Sequence, residues 1–211
     1  ATCAASGSMD CVARGCTPHR AGKDADSLVD IRLGREGRAA IREALVREGD
    51  AIAEKSQGGH GHSFAKGDVS FDDLATDGLG PKAKLLTVEN LQTVAVPGGT
   101  QALNRSAPVE VRTRSLSGAV SLPNLLGAIL VKVRAIDVDD EPQAQRSDVA
   151  FLLSLVEDPD ELATSCLPGE KGWLRKHPYF GDPQDGCWDG ILGAEDGSII
   201  YHRLIAPSSS S

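Results

Sequence analysis

Around Pro123 the hydrophobic residues of this chain change their spacing. Before it lie short apolar runs of period two, interrupted by one helical pattern. After it the patterns recur every three or four residues. Period two sends alternate side chains to opposite faces of a strand, and period 3.6 gathers them on one side of a helix. A chain so ordered predicts an α+β protein: a mixed β-sheet packed on helices, followed by a helical C-terminal part. Residues 1–122 are read as an α/β domain, 123–206 as a helical region packed on it, and 207–211 as a flexible tail.

Within the first part, Ser27 to Leu33 reads as a strand, with Val29, Ile31 and Leu33 on one face. Glu36 to about Lys55 reads as an amphipathic helix whose stripe includes Ala40, Ile41, Ala44, Leu45 and Ile52. His62 to Phe64 and Asp68 to Ala75 form a hairpin turning near Lys66-Gly67. Three short strands follow, at 93–96, 109–114 and 119–122, with Pro97-Gly98-Gly99 separating the first two. Pro123 opens a helix over Asn124 to about Ile136, and Gln143 to Val156 forms the next. Shorter helical pieces lie around 161–166 and 170–176. With aromatic residues at only 4%, Leu, Val, Ile and Ala must fill the core.

The formal net charge of −8 argues against a protein that coats nucleic acid, a mode that needs a basic face, though a local basic cleft remains compatible with it. The longest apolar run, Leu125 to Val133, is far too short to span a bilayer. No charged segment followed by an apolar stretch opens the chain, so no signal peptide is expected. Five scattered cysteines (Cys3, Cys11, Cys16, Cys166, Cys187) lack zinc-knuckle spacing and read as reduced thiols. A cytoplasmic location follows as the default.

Three Asp-x-Asp triplets stand out: Asp24-Ala25-Asp26, Asp137-Val138-Asp139 and Asp158-Pro159-Asp160. The second lies in a turn between helices, where acids solvate and cap. The third flanks a proline at a helix start, a capping arrangement. The first enters an apolar strand, where residues two apart share a face. In the later strand Asp68, Ser70 and Asp72 form the polar face and Val69 and Phe71 the apolar one. Parity thus selects Asp72 over Asp73. If both apolar faces pack on the helix, Asp24, Asp26 and Asp72 form a three-carboxylate cluster suited to a hard divalent cation. An ordinary solvated sheet face carrying several acids is the competing reading.

At these residues the chain resembles nucleotidyltransferases of the DNA polymerase β-like superfamily. More narrowly, it is similar to the AbiEii-type and minimal nucleotidyltransferase proteins of bacterial toxin–antitoxin and abortive-infection systems. The matching segments run from His19-Arg20 through Asp24-Ala25-Asp26, then Val69-Ser70-Phe71-Asp72. Leu125 to Lys132 and Gln145-Arg146-Ser147-Asp148 follow. The resemblance implies that Asp24, Asp26 and Asp72 are catalytic and ligate Mg²⁺ or Mn²⁺. Arg20 and Lys132 would hold triphosphate oxygens of an NTP, with Gly7 and Ser8 as the phosphate-gripping turn. It implies transfer of a nucleotidyl group to an RNA, protein or small-molecule acceptor, and a cognate toxin or antitoxin as partner. Gly7-Ser8 stands farther upstream than the family's turn, and Gly22 replaces the usual Thr. The alternative is therefore a catalytically degenerate fold acting as an antitoxin-like or scaffold binding module.

Bland readings stand beside these. Lys132 also suits a solvated helix position, and Arg146 with Asp148 suits an ion pair between helices. His60 and His62 suit a Gly-rich loop, and Trp173 and Trp188 suit satellite core.

Overall fold

A computed structural model describes residues 2–3, 24–29, 43–44, 46–47, 51–52, 63–78, 93–112 and 117–207. The architecture is mixed α+β, and the described residues divide into two compact units between Pro123 and Asn124.

The first unit is a mixed sheet. Its strands are β1 (Thr2–Cys3), β2 (Asp24–Val29), β3 (Ala51–Ile52), β4 (Ser63–Lys66), β5 (Val69–Thr76), β6 (Ala95–Val96), β7 (Ser106–Arg112) and β8 (Ser117–Pro123). They lie in the order β3-β4-β5-β2-β1-β8-β7, with β6 joining β5. β2 and β5 run parallel side by side, whereas β4–β5 and β7–β8 are antiparallel. The β4–β5 hairpin closes through Gly67-Asp68, where Gly67 adopts a left-handed φ of 61° that a residue without Cβ takes at no steric cost. β2 starts with acids and ends with Leu28 and Val29 fully buried, so its far end is covered on both faces.

One short helix, α1 (Gly99–Asn104), packs on β5 and β8. A Cβ at Gly99 would meet Leu28 Cδ2 and Thr76 Cα at 3.3 Å, which accounts for glycine at that approach. The Asp77 carboxylate fixes the turn into α1, accepting from Gly98 N at 2.7 Å and Thr100 N at 3.0 Å. The sequence reading treated Pro97-Gly98-Gly99 as a separator only. Its helix depends on an acid some twenty positions earlier, which local spacing does not display.

The helix expected over Glu36 to Lys55 needs correction at its end. Backbone at 43–44 and 46–47 is helical, but Ala51–Ile52 is a strand paired with Phe64 and Ala65. Pairing with β4 overrides the helical stripe that had enrolled Ile52.

The second unit is helical: α2 (Leu125–Ile136), α3 (Pro142–Ser154), α4 (Pro159–Ser165), α5 (Pro168–Arg175) and α6 (Ala194–Ile205). Two 3₁₀ turns, Pro178–Gly181 and Gly186–Trp188, precede α6. Asn124 caps α2 by accepting from Gly127 N at 2.9 Å, and Asp158 caps α4 by accepting from Asp160 N and Glu161 N. Proline occupies the first turn of α3, α4 and α5, where its missing N–H costs nothing. Ile129, Leu130 and Val133 of α2 share a core with Leu152 and Leu153 of α3, Leu174 of α5, Phe180, and Tyr201 and Leu204 of α6. The Tyr201 hydroxyl donates to Leu174 O at 3.2 Å, so burying the ring leaves no orphaned polar atom on it. Trp188 lies inside this core at 3% exposure, not on a satellite cluster. Among the described residues no helix is long and apolar enough to cross a membrane.

Candidate functional site

The parallel register of β2 and β5 sets Asp26 beside Asp72 and Asp24 beside Ser70. On the other edge of β5, Ser63 of β4 is the register partner of Asp72. Register partners on neighbouring strands carry their side chains on one face, with strands roughly 4.8 Å apart. Asp26, Asp72 and Ser63 therefore form a polar row across three adjacent strands. Asp26, Asp72, Ser63 and Ser70 are all half-buried. Asp24 is the first residue of β2, and its side chain lies outside the described residues. Asp73, next in the chain to Asp72, is 5% exposed and in register with buried Ser27.

The other acids have structural work. Asp77 holds the turn into α1. Asp137 accepts from Arg134 Nη1 at 2.9 Å, and its carboxylate also faces Lys176 Nζ and His177 Nε2 at 3.4 Å. Asp139 accepts from Glu141 N and from the Gln145 amide, each at 2.9 Å, and these bonds hold its carboxyl below the usual range. Asp158 is the α4 cap. The turn and capping roles read for the second and third triplets are those seen.

Lys132, on α2, lies in the helical unit with its ammonium 3.0 Å from Asp148 Oδ2 of α3, both side chains being largely buried. Arg146 does not take Asp148 as the sequence reading paired them; its guanidinium lies over the Tyr179 ring at 4.6 Å. Gly7, Ser8, Arg20, His60 and His62 fall outside the described residues. Cys166 and Cys187 are buried thiols, and burial pushes the Cys187 group up to about 12.

Chemically, the row offers carboxylate and hydroxyl oxygens and no soft ligand. That donor set fits Mg²⁺ or Mn²⁺, and Mg²⁺ commonly uses one or two carboxylates, completing its shell with substrate phosphates and water. Among the described side chains, which do not include that of Asp24, no group of three or more His, Cys, Asp or Glu residues is placed to hold a metal ion. Sequence reasoning missed Ser63, whose place in the row comes only from the hairpin register. It also missed the grouping of Asp137, Arg146, His177 and Tyr179, which joins α2, α3 and the turn after α5. No local spacing signals a cluster gathered from three elements.

The buried Lys132–Asp148 pair has a testable consequence. Lys132→Met removes the ammonium from a desolvated carboxylate and is expected to cost about 1.5 kcal/mol. A double-mutant cycle with Asp148→Leu in urea unfolding is expected to show coupling between the two positions. A Lys132 that instead serves only a nucleotide would leave stability unchanged and raise the nucleotide KM.

No family model, no curated protein and no solved structure matches the chain.

Proposed function

We propose that this chain is a metal-dependent nucleotidyltransferase, moving a nucleotidyl group from an NTP to an RNA, protein or small-molecule acceptor. The observation that carries the reading is the register of Asp26 with Asp72 on adjacent parallel strands, both half-buried. Two carboxylates side by side on neighbouring strands supply the hard oxygen ligands that a divalent cation takes in phosphoryl chemistry.

Asp26 and Asp72 would hold Mg²⁺ or Mn²⁺, with Asp24 at the strand's start as the third ligand. The cation supplies charge neutralisation on the triphosphate and on the developing oxyanions. Asp72 would accept the proton of the acceptor hydroxyl as its oxygen bonds to the α-phosphorus. The α–β bridging bond then breaks, and pyrophosphate leaves. Ser63 and Ser70 flank the acids and can orient phosphate oxygens or bound water by hydrogen bonding. The resemblance would assign the nucleotide grip to Gly7, Ser8, Arg20 and Lys132; of these, Lys132 is already paired with Asp148.

One observation favours a second reading, a catalytically degenerate fold that acts as an antitoxin-like or scaffold binding module: the Lys132 ammonium is engaged by Asp148. Incubation of the chain with each labelled NTP, Mg²⁺ or Mn²⁺, and total RNA or a candidate protein acceptor separates the two. Metal-dependent label transfer is the expected result. Absence of transfer with all four NTPs and both metals, together with no metal-dependent thermal shift, would favour the binding module.

A further inference from the structure

His177 is buried just after α5, and each of its ring nitrogens faces a polar group of a different element. Nδ1 is 2.9 Å from the Tyr179 hydroxyl in the turn Pro178–Gly181. Nε2 faces Asp137 Oδ1, at the end of α2, at 3.4 Å without closing a hydrogen bond. The ring also meets Phe180 edge-on, with centroids 6.3 Å apart, and Phe180 packs on Tyr201 of α6.

We propose that His177 is a pH-responsive latch of the helical unit, seated between the end of α2 and the turn Pro178–Gly181 and bonded to Tyr179 while neutral, with that bond loosened on gaining a proton. In the neutral ring protonated on Nε2, the Tyr179 hydroxyl donates to Nδ1 and the Nε2 proton faces Asp137. A protonated ring carries a proton on both nitrogens, so Tyr179 must turn its own proton away and accept instead. Burial pushes the Tyr179 phenol up to about 12, so it has no anionic form with which to welcome that proton.

The charges around the ring oppose a further cation. Arg134 and Lys176 already share the Asp137 carboxylate, and the Arg146 guanidinium of α3 lies over Tyr179. Asp185 and the Cys187 thiol face Tyr179 from the following turn. From α6, the His202 ring is engaged with Gly181 O at 3.2 Å. Asp137 is the one carboxylate directly facing the His177 ring among the described ion pairs. Burial, reinforced by Lys176 and Arg146 and opposed by Asp137, holds His177 below its usual value.

The sign follows from linkage. The unfolded chain takes up this proton near pH 6.5, whereas the folded chain resists it to lower pH. Stability is therefore level above about pH 6.5 and falls as pH drops below it.

The test compares unfolding midpoints of the full chain at about pH 7.5 and about pH 5.5, the window in which histidine titrates. Tryptophan fluorescence reads the helical unit, since Trp173 and Trp188 both lie there. The wild type and the control His202→Gln are expected to lose about 3 °C more on acidification than His177→Gln, whose side chain bonds both ways but never charges. An independent readout is the NMR titration of the His177 ring in the wild type, expected to have a midpoint below 6.5. Equal acid loss in wild type and His177→Gln, or a ring titrating at or above its ordinary value, would overturn the latch.

Discussion

Asp72→Asn is expected to abolish nucleotidyl transfer while leaving the fold as stable as the wild type or slightly more so. The two effects have one cause. Asp72 lies beside Asp26 in the β2–β5 register, with both side chains half-buried. Removing one charge relieves a like-charge contact worth about 0.2–1 kcal/mol. In the proposed reaction the same change removes a hard oxygen ligand from the cation and a proton acceptor from the acceptor hydroxyl. Losing several kcal/mol of transition-state stabilisation corresponds to a fall of about 10³ in kcat/KM. Asp26→Asn should lose transfer alike. Mg²⁺ is expected to raise the wild-type melting temperature by mass action, and the Asn variants should lose that response. Metal-dependent transfer retained by both variants would dismiss the acid row as the reaction centre.

Gly197→Ala is expected to destabilise the helical unit by about 2–3 kcal/mol, reversing the usual benefit of alanine in a helix. Gly197 is buried on α6, and a Cβ there would overlap Cη2 and Cζ3 of the Trp188 ring. The indole is 3% exposed and its backbone N–H is tied to Asp185 O at 3.0 Å, so the ring has little room to retreat. For a chain of this length the loss lowers the melting temperature by about 4–12 °C. Gly172→Ala on α5 is the control: nothing lies within 4 Å of its Cβ position, and a gain of about 0.5–1 kcal/mol is expected. A Gly197→Ala variant as stable as the wild type would mean that Trp188 does not pack there.

Helices with a strong apolar face and a start signal were the most legible elements. α2 lies within a residue of its expected bounds because Asn124 caps it and Leu126, Ile129, Val133 and Ile136 recur at helical spacing. Proline and Asp158 likewise mark the start of α4. The hairpin β4–β5 was legible because Gly67 supplies the left-handed turn. α6 was not read as a helix. Its start is Gly193 with a left-handed φ of 83°, and its end is held by Arg175, which donates to Ile205 O from another helix. The second signal is not local in sequence, and the first is a lone glycine that marks a turn as readily as a helix start.

The acid row divides in the same way. Sequence parity alone set Asp72 apart from Asp73, because strand alternation is a property of the backbone; Asp72 is half-buried and Asp73 buried. That Asp26 neighbours Asp72, with Ser63 beyond it, depends on which strands pair and in what register, a choice made by non-local hydrogen bonding and burial. Alone, the sequence determined the two-part α+β plan, since hydrophobic period reports which faces each segment must bury. Only the tertiary structure decided the ion pair of Lys132 with Asp148, the seat of His177 between Asp137 and Tyr179, and the contact of Gly197 with Trp188. Each rests on a contact between different elements, and close packing rather than local preference chose the partners.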